Sequence, residues 1–328
     1  MSKSTLWKRC IGVVLIFIVV EVAMRFALGL GNPPLLKADS EIGYVFQGNQ
    51  NLHRFGNHVR INSFHQRSKP ISSRPDSSVF RVMFVGDSVT WGGVLLDQSE
   101  IYSELVREKV KSTCADSIEV LNASAGSWGV GNSTAYIDRF GAFASDIVVL
   151  QIGSHDLLQE TSNASKIGSH PSFPSENPWL ATEELLRRYV WPRISTWISL
   201  ISTPAVVSNQ PAGQEEQFEL NMDHFKAMVK EIKAEGAAPV VLYTPDRDEV
   251  VPMDNGYANT YEQYRPQFFS VADSLGTPVI DTYSFWKNRE NPATFFRDQV
   301  HPNDKGHQSM ARQITEWLGD TACSTNPH

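Results

Sequence analysis

The sequence predicts an α/β fold built around a mostly parallel sheet. Three observations predict it. From Phe80 onward, short apolar runs recur at RVMFVG (81–86), IEVLN (118–122), DIVVLQIG (146–153), APVVLYT (238–244) and TPVID (277–281). Amphipathic stretches with apolar residues at helical spacing lie between them, and each run is short and ends in small or polar turn residues, the alternation expected of βαβ units. Five strands are therefore expected. The 328 residues leave room for one large domain or two small ones. With 29 basic against 36 acidic residues the net charge is −7, which argues against a general binder of nucleic-acid backbones. A mean hydropathy of −0.26 excludes a chain of many membrane spans.

The amino end departs from that average. Residues 10–31 hold the longest apolar stretch, preceded by Lys3, Lys8 and Arg9. The uninterrupted run Ile11–Val20 suits a signal-peptide core, and its continuation to Leu30 gives about 20 residues, enough to cross roughly 30 Å of hydrocarbon. Glu21 and Arg25, four apart, can pair on one helical face. No convincing small-x-small cleavage site follows, so an uncleaved signal anchor is preferred to a cleaved peptide. The leading basic residues would keep the amino terminus cytoplasmic and place the chain beyond Gly31 outside the inner membrane face.

Residues 32–78 carry turn residues with little periodicity and read as a stalk or lead-in, with one short strand around His58–Ile61. A single domain then spans 79–320, with a tail over 321–328. Helical faces are formed by Ile101, Tyr102, Leu105, Val106 and Val110, and by Phe218, Met222, Phe225, Val229 and Ile232. The last helix begins after Asn303, a plausible N-cap, and carries His307, Met310, Ala311, Ile314, Trp317 and Leu318 at helical spacing. Residues 162–215, with Trp179, Trp191 and Trp197, interrupt the rhythm as an insertion that reads as a lid or cap. Its tryptophans suit either stacking on sugar rings or packing the cap's own small core. Of three cysteines, Cys10 precedes the apolar run, while Cys114 and Cys323 could pair in an oxidising compartment or remain two thiols.

Four short motifs carry the chemistry. VGDSVTWGG (85–93) puts Ser88 at the carboxyl end of the first strand, the edge where open α/β sheets bind ligands. A serine there has backbone N–H groups nearby and access to solvent, as a nucleophile needs. RDQVHPNDKGH (297–307) sets Asp298 three residues before His301, so one turn can bring the carboxylate to one imidazole nitrogen and leave the other for a serine. LNASAGSWGVGN (121–132) and IGSHDL (152–157) supply small residues and backbone donors at the ends of the second and third strands. Each motif alone is weak. All four fall on one sheet edge.

In that order the motifs resemble the SGNH, or GDSL, hydrolase superfamily, in particular its membrane-anchored bacterial members, over Phe80 to Leu318. The stretch GNPPLLKADSEIGY also resembles the segment just after the anchor in such proteins. The resemblance implies a three-layer α/β/α sandwich with a flavodoxin-like sheet. It implies Ser88 as nucleophile, His301 as general base and acid, and Asp298 as the group that holds the histidine's tautomer. Backbone N–H groups of Ser88 and of Gly126 or Ser127 would form the oxyanion hole. No metal or organic cofactor is implied. The expected substrates are acylated glycans or other small acyl esters, hydrolysed through an acyl-enzyme. An O-acyltransferase acting on surface polysaccharide with the same triad, and a non-catalytic carbohydrate-binding protein on the same fold, are the alternatives.

Two motifs depart from the family's pattern. Where the second usually reads Asn-x-x-x-x-Gly, counting from Asn122 gives Ser127, with Gly126 one place early, so the donor is one of the two. The third usually reads Gly-x-Asn-Asp but is Gly153-Ser154-His155-Asp156 here. The family's asparagine donates to the oxyanion. His155 is expected to replace it, with a structural histidine or a metal ligand beside Asp156 as the other readings.

Overall fold

The computed structural model describes residues 3–75, 79–111, 117–194, 213–251 and 261–321. In chain order, α1 (Lys3–Leu28) precedes β1 (Leu36–Asp39), β2 (Gly43–Phe46), β3 (Gln50–Arg54) and β4 (Asn57–Ile61). Then come β5 (Phe80–Gly86), α2 (Ser88–Trp91), α3 (Tyr102–Lys111), β6 (Ile118–Ser124), α4 (Val130–Phe140) and β7 (Ile147–Gly153). The insertion carries α5 (Ala181–Glu184), which continues as a π-helical stretch over Leu185–Val190. Last are α6 (Gln214–Ala234), β8 (Ala238–Thr244), α7 (Arg247–Val250), α8 (Tyr264–Ser274), β9 (Val279–Asp281), α9 (Thr282–Lys287) and α10 (Asp304–Thr321).

The five expected strands form one parallel sheet in the order β6-β5-β7-β8-β9, which is the flavodoxin-like arrangement. Every residue of β7 is buried, as a strand covered on both faces requires. Gln151 is its one polar side chain; the amide spans Thr90 Oγ1 (2.9 Å) and Thr244 Oγ1 (3.1 Å), so burial leaves it partnered. The register aligns the strand ends. Gly86 faces Ser124, and Gly153 faces Thr244.

The lead-in differs from the expected stalk with one strand. It forms two antiparallel hairpins, β1–β2 and β3–β4, and Leu36, Ile42, Tyr44, Val45, Phe46, Leu52, Val59 and Ile61 are buried in the same core as the sheet. Its short strands are interrupted by turns, which hid the period-2 signal. Arg67, fully buried, donates from its guanidinium to the carbonyls of Trp91, Gly93 and Leu96, the last at 2.8 Å, and lies over the Trp91 ring. These residues run from the last of α2 into the loop after it, so the lead-in shapes the chain beside the predicted nucleophile. Asn303 caps α10 as expected, accepting from Gly306 N–H at 3.1 Å. Cys114, Cys323, Trp197 and the remainder of the insertion over 195–212 lie outside the described residues.

Helix α1 has 26 residues, a mean hydropathy of 2.5 over its most apolar window and almost no burial, so by length and composition it can cross a membrane.

Candidate active site

Four strands end at one edge, and each delivers a site residue two positions beyond its last residue. Ser88 comes after β5, Gly126 after β6, His155 after β7 and Asp246 after β8. Sequence reasoning found the first three and missed the fourth. The offset from APVVLYT was the available signal.

Between β5 and α2 the chain turns sharply. A Cβ on Gly86 would lie 2.4 Å from Thr90 Oγ1 and 2.6 Å from Gln151 Oε1, so the close approach of the turn to β7 demands glycine. Asp87 caps α2 by accepting from Val89 N–H at 2.7 Å. Ser88 is then the first residue of the helix, where its own N–H has no intrahelical acceptor.

His301 lies on the loop before α10. The loop folds back on itself, with Arg297 N–H donating to the His301 carbonyl at 2.8 Å. Asp298 accepts from the backbone N–H groups of Val300 (3.0 Å) and His301 (2.8 Å), and its carboxylate meets His301 Nδ1 at 2.8 and 3.0 Å. On the other side of the ring, His301 Nε2 is 2.9 Å from Ser88 Oγ. Partial burial opposes ionisation of Asp298, but the two N–H groups and the imidazole outweigh it and hold the carboxyl below its usual value. A proton on Nδ1 then faces Asp298, and Nε2 is left to accept from the serine hydroxyl.

The β6 turn presents the two expected oxyanion donors. Tyr44, from the lead-in, donates to the Gly126 carbonyl at 2.6 Å, and Gln159 Nε2 donates to the Ser127 carbonyl at 3.0 Å, with Ser162 Oγ on the same oxygen. Burial, reinforced by the Asp87 charge, pushes the Tyr44 phenol up to about 12, so it remains a donor. Ser127 sits in the left-handed region at φ 63°. That conformation favours glycine, which accounts for the glycine in the family's pattern at this position. Ser127→Gly is therefore expected to leave turnover within about twofold. Relief of roughly 1 kcal/mol of backbone strain offsets the greater freedom of glycine in the unfolded chain. Ser127→Val, with a β-branched residue forced to positive φ, is expected to lower both the melting temperature and turnover. Equal tolerance of glycine and valine would show that this backbone conformation is unimportant.

His155 differs from the expected free donor. Its Nε2 lies 2.8 Å from Asp87 Oδ2 and its Nδ1 lies 2.9 Å from Asp246 Oδ1, so both ring nitrogens face carboxylates. The reason is the convergence of the β5 and β8 ends on either side of the β7 end. Burial disfavours the charged ring, yet Asp156, Asp246 and Asp87 together raise its pKa well above the ordinary value and favour an imidazolium. Asp156 accepts from Gly153 N–H at 2.7 Å through Oδ2, while its buried Oδ1 has no hydrogen-bond partner among the described residues and lies 3.7 Å from His155 Nε2. Burial and the Asp87 charge raise its pKa.

Asp87, His155 and Asp156 each bring one ligand atom within 4.8 Å of the others, so Asp87 supplies the third candidate ligand that the spacing along the chain did not reveal. The 2.8 Å between His155 Nε2 and Asp87 Oδ2 is nevertheless shorter than the ~3.3 Å separating two ligands on a tetrahedral ion with bonds near 2.05 Å. As arranged, His155 and Asp87 are hydrogen-bonded to each other and not spaced as two ligands of a tetrahedral ion.

A serine, histidine and aspartate in hydrogen-bonded sequence at the carboxyl edge of a parallel sheet is the arrangement of serine hydrolases. A family model of GDSL-like lipases and acylhydrolases matches residues 84–309, more than half of the chain, and the chain belongs to that family. It is an ester hydrolase of the esterase/acylhydrolase type. Similar solved structures include TesA (15% identity, covering 73% of this chain and 98% of that chain, TM-score 0.45). The acetyl xylan esterase AlAXEase is similar at 16% identity, covering 73% of this chain and 100% of its own (TM-score 0.48). A lipase/acylhydrolase from Enterococcus faecalis is similar at 15% identity, covering 74% and 96% (TM-score 0.45). Among curated proteins, none matches this sequence.

Proposed function

We propose that this chain is a membrane-anchored serine esterase that cleaves acylated glycans or other small acyl esters outside the inner membrane face. The observation that carries the reading is the chain of contacts from Ser88 Oγ to His301 Nε2 at 2.9 Å and from His301 Nδ1 to Asp298 at 2.8 Å. Ser88 attacks the ester carbonyl as His301 takes its proton, and Asp298 stabilises the imidazolium that forms. The N–H groups of Ser88 and of Gly126 or Ser127 receive the developing oxyanion. His301 then protonates the departing alcohol, and water, activated by the same imidazole, releases the acid from the acyl-enzyme. His155 acts in this reading through Asp87: it fixes the carboxylate that caps α2 and so the position of the serine.

The side chains of His301 and Asp298 remain about 32% and 47% exposed, and such an open rim suits a bulky alcohol such as a sugar. The location is supported by the apolar α1 and the basic residues Lys3, Lys8 and Arg9 at its start.

A fluorophosphonate probe is expected to label the wild-type chain and not Ser88→Ala. Equal labelling of the two, or none of either, overturns the assignment of the nucleophile. With an acetyl ester as donor, release of acetate should exceed transfer to an added glycan. Predominant transfer would make the protein an acyltransferase.

A further inference from the structure

Sequence reasoning offered two roles for the insertion's tryptophans; neither of the two among the described residues is packed in a core, and Trp179 lines a cleft that it shares with Pro33, His170, Glu183 and Arg187. Trp179 is 90% exposed and Trp191 is 64% exposed. Leu180, Leu186 and Ile194 are exposed with them, as is the Arg187 side chain. We infer that this exposed face of residues 179–194 is a membrane-contact surface, seated in the headgroup and upper acyl region of the bilayer that α1 enters. The inference rests on reading α1 as a membrane span.

The segment is fastened to the end of that helix. Glu21 of α1 accepts from the N–H groups of Ala181 (2.6 Å) and Thr182 (3.0 Å), capping α5 from outside. Arg25, paired with Glu21 at 2.9 Å, donates to the Trp179 carbonyl. Glu184 accepts from Gly31 N–H at 2.6 Å and pairs with the buried Arg54 of β3. Between these polar links lies a small apolar cluster of Met24, Leu30 and Ala181, flanked by Phe55, Leu185 and Tyr189 and separate from the main core. One side of the 181–194 segment is thus committed to the anchor.

Depth is set by this attachment. Ala181 is level with Glu21, seven residues or about 10 Å of helix before Leu28. From Ile11 to Glu21 the helix rises only about 15 Å, half of the hydrocarbon thickness, so the level of Glu21 lies in the acyl region and the turns after it run toward the headgroups. At that level α1 leaves Val22 and Phe26 exposed, Phe26 by 87%. The outer face of 179–194 continues this apolar surface with two tryptophans and three aliphatic residues. Arg187 and Arg193 stand among them, the composition of helices that lie in a membrane interface. Its partner is accordingly lipid, with the arginines toward phosphates and the rings toward the acyl chains. The catalytic domain would then be held in one orientation by two contacts with the bilayer.

The full chain in phosphatidylcholine vesicles, with or without lipids brominated near the headgroup end of the acyl chains, tests this through tryptophan emission. Bromine is expected to quench wild type, and the double variant Trp179→Phe/Trp191→Phe is expected to lose at least half of the quenched signal. Its hydrolysis of a soluble ester should stay at the wild-type rate, showing that the fold is intact. Trp7, 69% exposed at the opposite end of α1, is the internal control through Trp7→Phe. If the Trp7 contribution is quenched and that of Trp179 and Trp191 is not, the surface faces water, a glycan or another protein and the inference is overturned. If Trp7 is not quenched either, α1 is not inserted, and the anchor reading falls together with the inference.

Discussion

Ser88→Ala is expected to lower turnover of a short acyl ester by a factor on the order of 10⁵ or more, about 7 kcal/mol of barrier. The substitution removes the atom that becomes covalently bonded to the acyl group, and no other hydroxyl contacts His301 Nε2 among the described residues. Positioning by the oxyanion donors then leaves some catalysis over water but no acyl-enzyme. The protein should stay folded, because Ser88 is a first-turn helix residue and the Asp87 cap accepts from Val89 rather than from Ser88. Asp298→Ala should cost less, on the order of 10² to 10⁴, since the loop contact between Arg297 N–H and the His301 carbonyl still restrains the ring. Release of acid by mass spectrometry, with melting temperature as control, checks both. Turnover by Ser88→Ala within tenfold of wild type would remove the serine mechanism altogether.

The sheet was legible because a parallel strand covered on both faces must be apolar throughout, and DIVVLQIG and APVVLYT are nearly so. Ser88, Asp298 and His301 were legible because short motifs name them and the strand order brings them to one edge. The lead-in was not legible. Strands as short as LKAD and GYVF have too few residues to show a period, and their burial depends on contacts such as Tyr44 with Gly126, across a separation of 82 residues. Nothing in the sequence marks Arg67, and only the folded chain reveals that three carbonyls surround it. His155 was recognised as unusual and expected to donate to the oxyanion; the carboxylates on both sides of its ring were not foreseen. Its neighbours along the chain include Asp156 alone, whereas Asp87 and Asp246 arrive from other strands. A residue type in a motif position indicates what it can donate; the acceptors are set by topology.

His155 therefore carries the second large prediction, and it concerns stability first. The ring stands between two buried carboxylates, so His155→Ala leaves Asp87 and Asp246 without the cation they share and is expected to cost about 3 kcal/mol or more. His155→Asn, which would suit a simple oxyanion donor, should do little better, because a neutral amide cannot satisfy both acids or balance their charge. The pH dependence has a definite sign. The folded-state pKa of His155 lies well above the ordinary histidine value, so its contribution is complete below about 6.5 and is lost as pH rises through the raised folded value. Urea unfolding of the wild type should accordingly show a decline in stability on the alkaline side that is missing in His155→Asn. Asp246→Asn, which removes one of the charges favouring the imidazolium, should move that decline to lower pH. Turnover should fall in His155→Asn as well, because Asp87 then loses the partner that orients it ahead of Ser88. A fully active His155→Asn with wild-type stability and an unchanged alkaline limb would instead identify residue 155 as the oxyanion donor that the family's asparagine supplies.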